Sequence, residues 1–206
     1  MTFERDSDLV EKLVERQVVH DSNYLTFARD TIAAPDGSKH SREIVLHPGA
    51  VTVVALLPDG RVVLVRQYRH AAGEVLLELP AGTLDRQPDG SIEDPLLAGK
   101  RELMEETGYR AASWRKLSTF WTAPGFATEL MHLYLATDLS ADPAWDGPEP
   151  DERLIQTLMP LGELVAMAER REIRDAKTII GIYMTVELAR AGKVAELAGY
   201  RDATAS

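Results

Sequence analysis

Two apolar, β-branched runs, Ala50 to Leu57 and Arg61 to Gln67, are separated by Asp59-Gly60, and this arrangement constrains the fold more than any other stretch of the chain. Asp-Gly supplies the positive φ angles of a tight turn, and Val-rich flanks favour extended backbone, so the segment reads as a β-hairpin. The fold must therefore be built on a sheet. Further strands are expected at Gln17 to His20, Tyr24 to Ile32 and Ser41 to His47, the last two joined through Asp36-Gly37, which makes a small N-terminal antiparallel sheet. Glu74 to Leu79, Leu117 to Trp121, Met131 to Ala136 and Leu154 to Met159 complete the strands, with loops at Thr122 to Thr128 and Asp138 to Asp151.

Helices fall among these strands. The clearest has Asp94 as N-cap, Pro95 at its first position and Gly108 as a left-handed stop. Two more finish the chain; the second runs from Asp175 to Arg190 with Gly192 just beyond, and Ile179, Ile180, Ile182, Tyr183 and Met184 are expected to pack inward. Sheet elements with helices scattered among them indicate an α/β or α+β sandwich rather than a doubly wound parallel fold.

Composition removes several classes of function. With 206 residues, 45% of them hydrophobic, the chain can bury a full core. It has no cysteine, so disulfides, thiolate metal sites and cysteine nucleophiles are excluded, and a cytoplasmic protein is expected. A formal charge of -10 without a basic block argues against nucleic acid or anionic membrane as partners, and no apolar run is long enough to span a bilayer. An anionic substrate would need metal ions to mediate its binding.

The chemistry is concentrated in Arg101-Glu102-Leu103-Met104-Glu105-Glu106-Thr107-Gly108-Tyr109. Spacings of three and four place Glu102, Glu105 and Glu106 along one helix face, where three like charges repel. The plainer reading is a solvated acidic face with Arg101 pairing to Glu105. The alternative is a cluster neutralised by a hard divalent cation, Mg²⁺ or Mn²⁺, for which carboxylate oxygens are suited.

Glu93, seven residues and then Arg101 to Tyr109 match the second half of the Nudix signature, so the chain resembles the Nudix hydrolase family. The signature glycine looks like Gly82, within Leu79-Pro80-Ala81-Gly82, but ten residues rather than five separate it from Glu93. The added length includes Gln87-Pro88-Asp89-Gly90 and reads as an insertion in a surface loop. The resemblance implies an α+β fold, an α/β/α sandwich with a mixed β-sheet beside the small N-terminal sheet, divided into an N-terminal region at 1–47 and a Nudix hydrolase domain at 48–206. It further implies Glu102 and Glu106 as main metal ligands, Glu105 as a ligand or water-positioning group, the Ala81 carbonyl as a further ligand and Arg101 as the residue that orients the glutamates. Glu93 either belongs to this set or favours the positive end of the helix.

From about Arg42 to Ile180 the chain is similar to the ADP-ribose pyrophosphatase branch of that family. Pro124 in Thr122-Ala123-Pro124-Gly125-Phe126 lies fifteen residues beyond Tyr109, where the branch has a marker proline. Gln67-Tyr68-Arg69 followed by Glu78-Leu79-Pro80-Ala81-Gly82 also looks like that branch, with Arg69 and Glu78 beside the substrate. Arg42 and Glu43 resemble positions that reach the nucleotide, often from the partner subunit of a homodimer. The implied base lies in the acidic loop Glu149-Pro150-Asp151-Glu152, with Glu152 preferred over Glu149. The implied substrate is ADP-ribose; GDP-mannose or another nucleoside diphosphate sugar, a dinucleoside polyphosphate, an oxidised nucleotide and a non-catalytic nucleotide sensor remain alternatives. Tyr24, Phe27, Trp114, Trp121 and Phe126 are all available to stack on a base, and sequence does not choose among them.

Overall fold

The computed structural model describes residues 6–22, 24–148 and 153–200. The chain divides into two compact units. One contains the described residues up to Gly49 with Trp121–Leu130, and the other contains Ala50–Phe120 with the described residues from Met131 onward.

In the first unit β1 (Lys12–Asp21), β2 (Thr26–Ala33) and β3 (Lys39–Leu46) form an antiparallel meander in that order. Ala28, Asp30 and Ile32 are its buried positions, alternating along β2 as the period of a strand requires. Asp30 is held by Arg16 through two bonds of 2.7 and 2.6 Å. Gly37 sits at φ 84° in the β2–β3 turn. The Trp121–Leu130 segment joins this unit through the Val45 amide, which donates to the Phe126 carbonyl at 2.7 Å, and the Thr128 amide, which donates to the Val45 carbonyl at 2.9 Å.

In the second unit β4 (Ala50–Leu56), β5 (Arg61–Arg69), β8 (Tyr109–Trp121), β9 (Leu130–Ala141) and β10 (Leu154–Pro160) lie in the order β10-β5-β4-β9-β8. β4 and β9 run parallel, while β4–β5 and β5–β10 are antiparallel, so the sheet is mixed. The β4–β5 hairpin pairs only next to its turn, through Ala55–Val63 and Leu56–Val62. It then splays, leaving the start of β4 to pair with β7 (Ala81–Thr83) and the end of β5 to pair with β6 (Glu74–Glu78). That splay brings Ala81 and Gly82 into the sheet.

β4 is buried at every residue, and its two faces serve different helices. Val53 and Ala55 pack with Leu103 of α1 (Pro95–Thr107), and Val51 packs with Ala98 of the same helix. Val54 and Leu56 pack with Leu161 and Leu164 of α2 (Leu161–Glu169) and Ile182 and Val186 of α3 (Ala176–Arg190). Helices on both faces explain why this strand is apolar throughout instead of alternating. α3 approaches closely because of Gly181, where a Cβ would stand 2.5 Å from Leu79 Cδ1. None of the described helices is long and apolar enough to cross a membrane.

The expected elements are present, but several are longer than their sequence patterns. β1 has ten residues with every side chain exposed, so no apolar alternation marks its ends. β8 begins directly at Tyr109 and β9 runs on to Ala141, because the added residues are mostly exposed and carry little periodic signal. Tyr183 corrects one expectation: it is an exposed side chain of α3, whose inward face is Thr178, Gly181, Ile182, Thr185 and Val186.

Candidate active site

α1 starts and stops where its sequence dictates. The Asp94 carboxylate accepts from the Leu96 and Leu97 amides at 2.9 and 3.1 Å, and Gly108 adopts φ 69° while its amide donates to the Met104 carbonyl. Caps at both ends fix the helix to the residue, and so fix which way its glutamates point. Glu102 and Glu106 are 6% and 3% exposed. A solvated acidic face is thereby ruled out for these two. The Glu105 side chain, at 35%, is the outermost of the three.

Burial of carboxylates carries a large cost unless partners compensate for lost water. Arg101 is one such partner, for Glu102. Its guanidinium reaches Glu93 Oε2 at 2.9 Å, Glu102 Oε1 at 2.8 Å and Glu105 Oε2 at 3.0 Å, and Asp85 at 3.8 Å. The hydrogen bond to Glu93 leads the causes that hold this guanidinium firmly protonated, and the same bond lowers the Glu93 carboxyl below the usual carboxylate range. Glu93 is thus a partner of Arg101, while Asp94 caps the helix.

The added loop between Gly82 and Glu93 closes on itself. The Gln87 amide donates to the Ser91 carbonyl, Arg86 bridges Ile92, and the Glu93 amide donates to the Asp85 carbonyl, each of the two hydrogen bonds being 2.9 Å long. A self-contained hairpin of this kind lengthens the connection without moving its two ends. Glu93 therefore still reaches Arg101.

Opposite the helix, the Ala81 amide donates to Glu106 Oε2 at 3.0 Å. A Cβ at Gly82 would stand 1.9 Å from Glu102 Oε1, so only glycine leaves this carboxylate its place. The segment leading here is pinned from below. Glu78, 1% exposed, receives two 2.7 Å bonds from Arg69 and a further one from Lys177, which also lies 3.1 Å from Asp175. The Leu79 amide donates to Thr178 Oγ1 at 2.8 Å, tying the same segment to the first turn of α3.

Burial pushes the Glu78 carboxyl up, but Arg69 and Lys177 outweigh it and hold the group below its ordinary value. A depressed carboxyl contributes stability that is complete above the unfolded value, about 4.3, and is lost as pH falls through the folded value. In thermal melts the wild type is expected to lose, below about pH 4.3, most of its advantage over Glu78→Gln. A constant gap down to the folded limit would contradict the pairing.

Arg69, Glu78, Ala81, Gly82, Glu93, Arg101, Glu102, Glu105, Glu106 and Gly108 all lie in the second unit, while Arg42, Glu43, Pro124 and Gly125 lie in the first. Arg42 pairs with Glu11, Glu43 pairs with Arg29 at 3.4 Å, and Pro124-Gly125 forms a turn closed by the Ala127 amide on the Ala123 carbonyl. Glu149 and Glu152 lie outside the described residues. Trp114 is partly buried against the core, edge-on to Tyr134 at 6.3 Å, whereas Tyr24, Trp121 and Phe126 are exposed.

Two supports were missed by sequence reasoning. Lys177 places a cation in the first turn of a helix, the unfavourable end of its dipole, and that anomaly was the available signal for a buried acidic partner. Trp145 stands alone in a polar loop, where a large ring must find cover; its indole N–H donates to the Glu105 carbonyl at 3.0 Å.

The donor set around α1 is oxygen alone, with no thiolate or imidazole, which fits a hard divalent cation. Among the described residues no three acidic or histidine side chains converge on one point. The ion pairs give the reason: Arg101 turns Glu102 and Glu105 toward itself. A cation held by Glu102 would take over part of that neutralisation.

The mixed sheet, its flanking helices and this glutamate helix define a Nudix pyrophosphohydrolase. A NUDIX domain profile matches residues 46–180, and the chain belongs to that family. It is 34% identical to the ADP-ribose pyrophosphatase of Bacillus subtilis (strain 168), over 84% of this chain and 91% of that one. It is 36% identical to a methanol dehydrogenase activator of Bacillus methanolicus, over 84% and 90% of the two chains. A GDP-mannose pyrophosphatase of Cronobacter sakazakii (strain ATCC BAA-894) is 33% identical over 69% and 75%. The crystal structure of an ADP compounds hydrolase shares the fold with a TM-score of 0.73, covering 89% of this chain and 97% of that one at 23% identity.

Proposed function

We propose that the protein hydrolyses the pyrophosphate bond of ADP-ribose in a Mg²⁺-dependent reaction, with Mn²⁺ as a possible substitute, giving AMP and ribose 5-phosphate. The observation that carries this reading is the pair of buried carboxylates, Glu102 and Glu106, set against Ala81 and Gly82 in a chain related to an ADP-ribose pyrophosphatase. Bound there, a divalent cation would neutralise pyrophosphate charge and increase the acidity of the attacking water. Glu102 and Glu106 are the proposed main ligands, with the Ala81 carbonyl beside them. Glu105, the most exposed of the three, serves as a further ligand or orients the water. Arg101 holds these carboxylates in register. The proposed base is Glu152, or else Glu149, which takes a proton from the water as it attacks one phosphorus and the bridging P–O bond breaks.

Arg69 is assigned to the substrate side of the site because its side chain remains 41% exposed although its fork is bound to Glu78; Glu78, 1% exposed, acts by holding Arg69 and not by touching substrate. Pro124 and Gly125 are further proposed substrate-binding residues. Arg42 and Glu43 would reach the nucleotide from the partner subunit of a homodimer, a state favoured by the fully exposed β1 with Leu13, Val14, Val18 and Val19. Light scattering at working concentration should give twice the chain mass; a monomer would remove the roles of Arg42 and Glu43. The cysteine-free composition suits a cytoplasmic enzyme.

The GDP-mannose pyrophosphatase relative keeps a second substrate class in view. Hydrolysis rates with Mg²⁺ should rank ADP-ribose above GDP-mannose, diadenosine polyphosphate and 8-oxo-dGTP. Faster turnover of another compound would retain the pyrophosphohydrolase and discard ADP-ribose. Binding without turnover of any compound would favour a nucleotide-sensing role.

A further inference from the structure

An α-helix ends with four carbonyls that have no partner within the helix, and most helices satisfy them with the residues that follow directly or with water. α1 does so only in part. The Gly108 amide caps Met104, but the Glu105 carbonyl receives the indole N–H of Trp145 at 3.0 Å, and the Thr107 carbonyl receives the side-chain amide of Gln156 at 3.2 Å. Both donors come from far along the chain, and the two carbonyls they bind flank Glu106. Trp145 and Gln156 thus hold the same helix end from two separate positions in the sequence.

The Trp145 side is built with several interlocking bonds. The Asp142 amide donates to the Gly108 carbonyl at 2.8 Å, and the Asp142 carboxylate accepts from Arg110 at 3.0 Å and from the Ala144 amide at 2.9 Å. The Trp145 amide then donates to the Asp142 carbonyl at 3.2 Å. The indole lies so close over Gly108 that a Cβ there would come within 2.5 Å of the ring. Gly108 is therefore required twice, for its positive φ and for the ring above it. The Gln156 side is equally fixed, because Gln156 belongs to β10 and pairs with Val65 in the sheet.

We propose that Trp145, with Gln156, is a positioning residue for the hydrolysis: the two side chains hold the last turn of α1 by the carbonyls on either side of Glu106. The inference rests on the proposed function. The two bonds fix the rotation and height of the turn that carries Glu105 and Glu106. A ligand helix held only by its own cap could fray at this end, within the last turn, where both glutamates sit.

Trp145→Phe keeps a ring over Gly108 and removes the donor; Gln156→Met keeps the length of the side chain and removes its donor. Each is expected to lower kcat on ADP-ribose at saturating Mg²⁺ on the order of tenfold, as small displacements of reacting groups do, while KM stays within about twofold. Amide hydrogen exchange at Gly108 and Asp142 should quicken in Trp145→Phe. Unchanged kcat in both variants would overturn the proposal, even if exchange quickens, because the bonds would then be merely structural. An equal loss in KM and kcat would also overturn it. If the wild type hydrolyses no ADP-ribose, the functional reading fails and the positioning role falls with it; that outcome is separate, since it appears before any variant is made.

Discussion

Glu106→Gln should lose at least about a hundredfold in kcat on ADP-ribose while its melting temperature stays within roughly 4 °C of the wild type. The two halves of this expectation have different causes. Glu106 is 3% exposed and one of its oxygens accepts the Ala81 amide, a bond that the amide oxygen of glutamine can still accept. What glutamine cannot supply is the negative charge. Even changes in the outer shell of a metal site cost ten- to a hundredfold, approximately, and a ligand is worth more. Steady-state kinetics with circular-dichroism melts check both halves. Near-normal turnover would remove Glu106 from the ligand set, and a collapsed melt would make it a structural residue.

The second large effect concerns Arg101. One guanidinium faces Glu93, Glu102 and Glu105, with Asp85 farther out, so the helix face carries more negative than positive charge. Removing the partner of buried charges leaves them uncompensated. Arg101→Met should therefore melt lower in EDTA by about 4–8 °C, which corresponds to roughly 2 kcal/mol in a chain of this size. A cation that binds the folded state alone adds stability by mass action, about 2.7 kcal/mol at a hundred times its Kd. Mg²⁺ should thus raise the melting temperature of the variant more than that of the wild type, because it replaces the lost positive charge. Equal shifts in the two proteins would show that Arg101 and the cation act on separate groups of carboxylates.

Much of this arrangement was legible in the sequence because it depends on local rules. Asp94, Pro95 and Gly108 mark the ends of α1 through capping and backbone geometry, which need no knowledge of distant contacts. The spacing of Glu102, Glu105 and Glu106 follows from the helical period. The burial of Glu102 and Glu106 is a different matter. It arises because β7 pairs with the start of β4, where the β4–β5 hairpin has splayed, and so sets Ala81 and Gly82 against the glutamates of α1, a pairing set by tertiary structure. A helical pattern alone would have assigned those glutamates to solvent.

Strand ends were harder for a related reason. Alternation identifies a strand only where one face is covered, and β1, the start of β8 and the end of β9 are largely exposed. Lys177 and Trp145 each signal a partner in the sequence but not which one, because each acts on a group far away in the chain, Glu78 and the Glu105 carbonyl. The ten-residue spacing from Gly82 to Glu93 departs from the family signature, yet the extra residues form a closed hairpin and leave Glu93 on Arg101.

The most direct test of the central claim is the release of AMP from ADP-ribose by the purified protein, measured with Mg²⁺ and again with EDTA. The account predicts AMP and ribose 5-phosphate in equal amounts with Mg²⁺, and none above background with EDTA. AMP formed equally well in EDTA would contradict it, since Glu102 and Glu106 would then have no cation to hold.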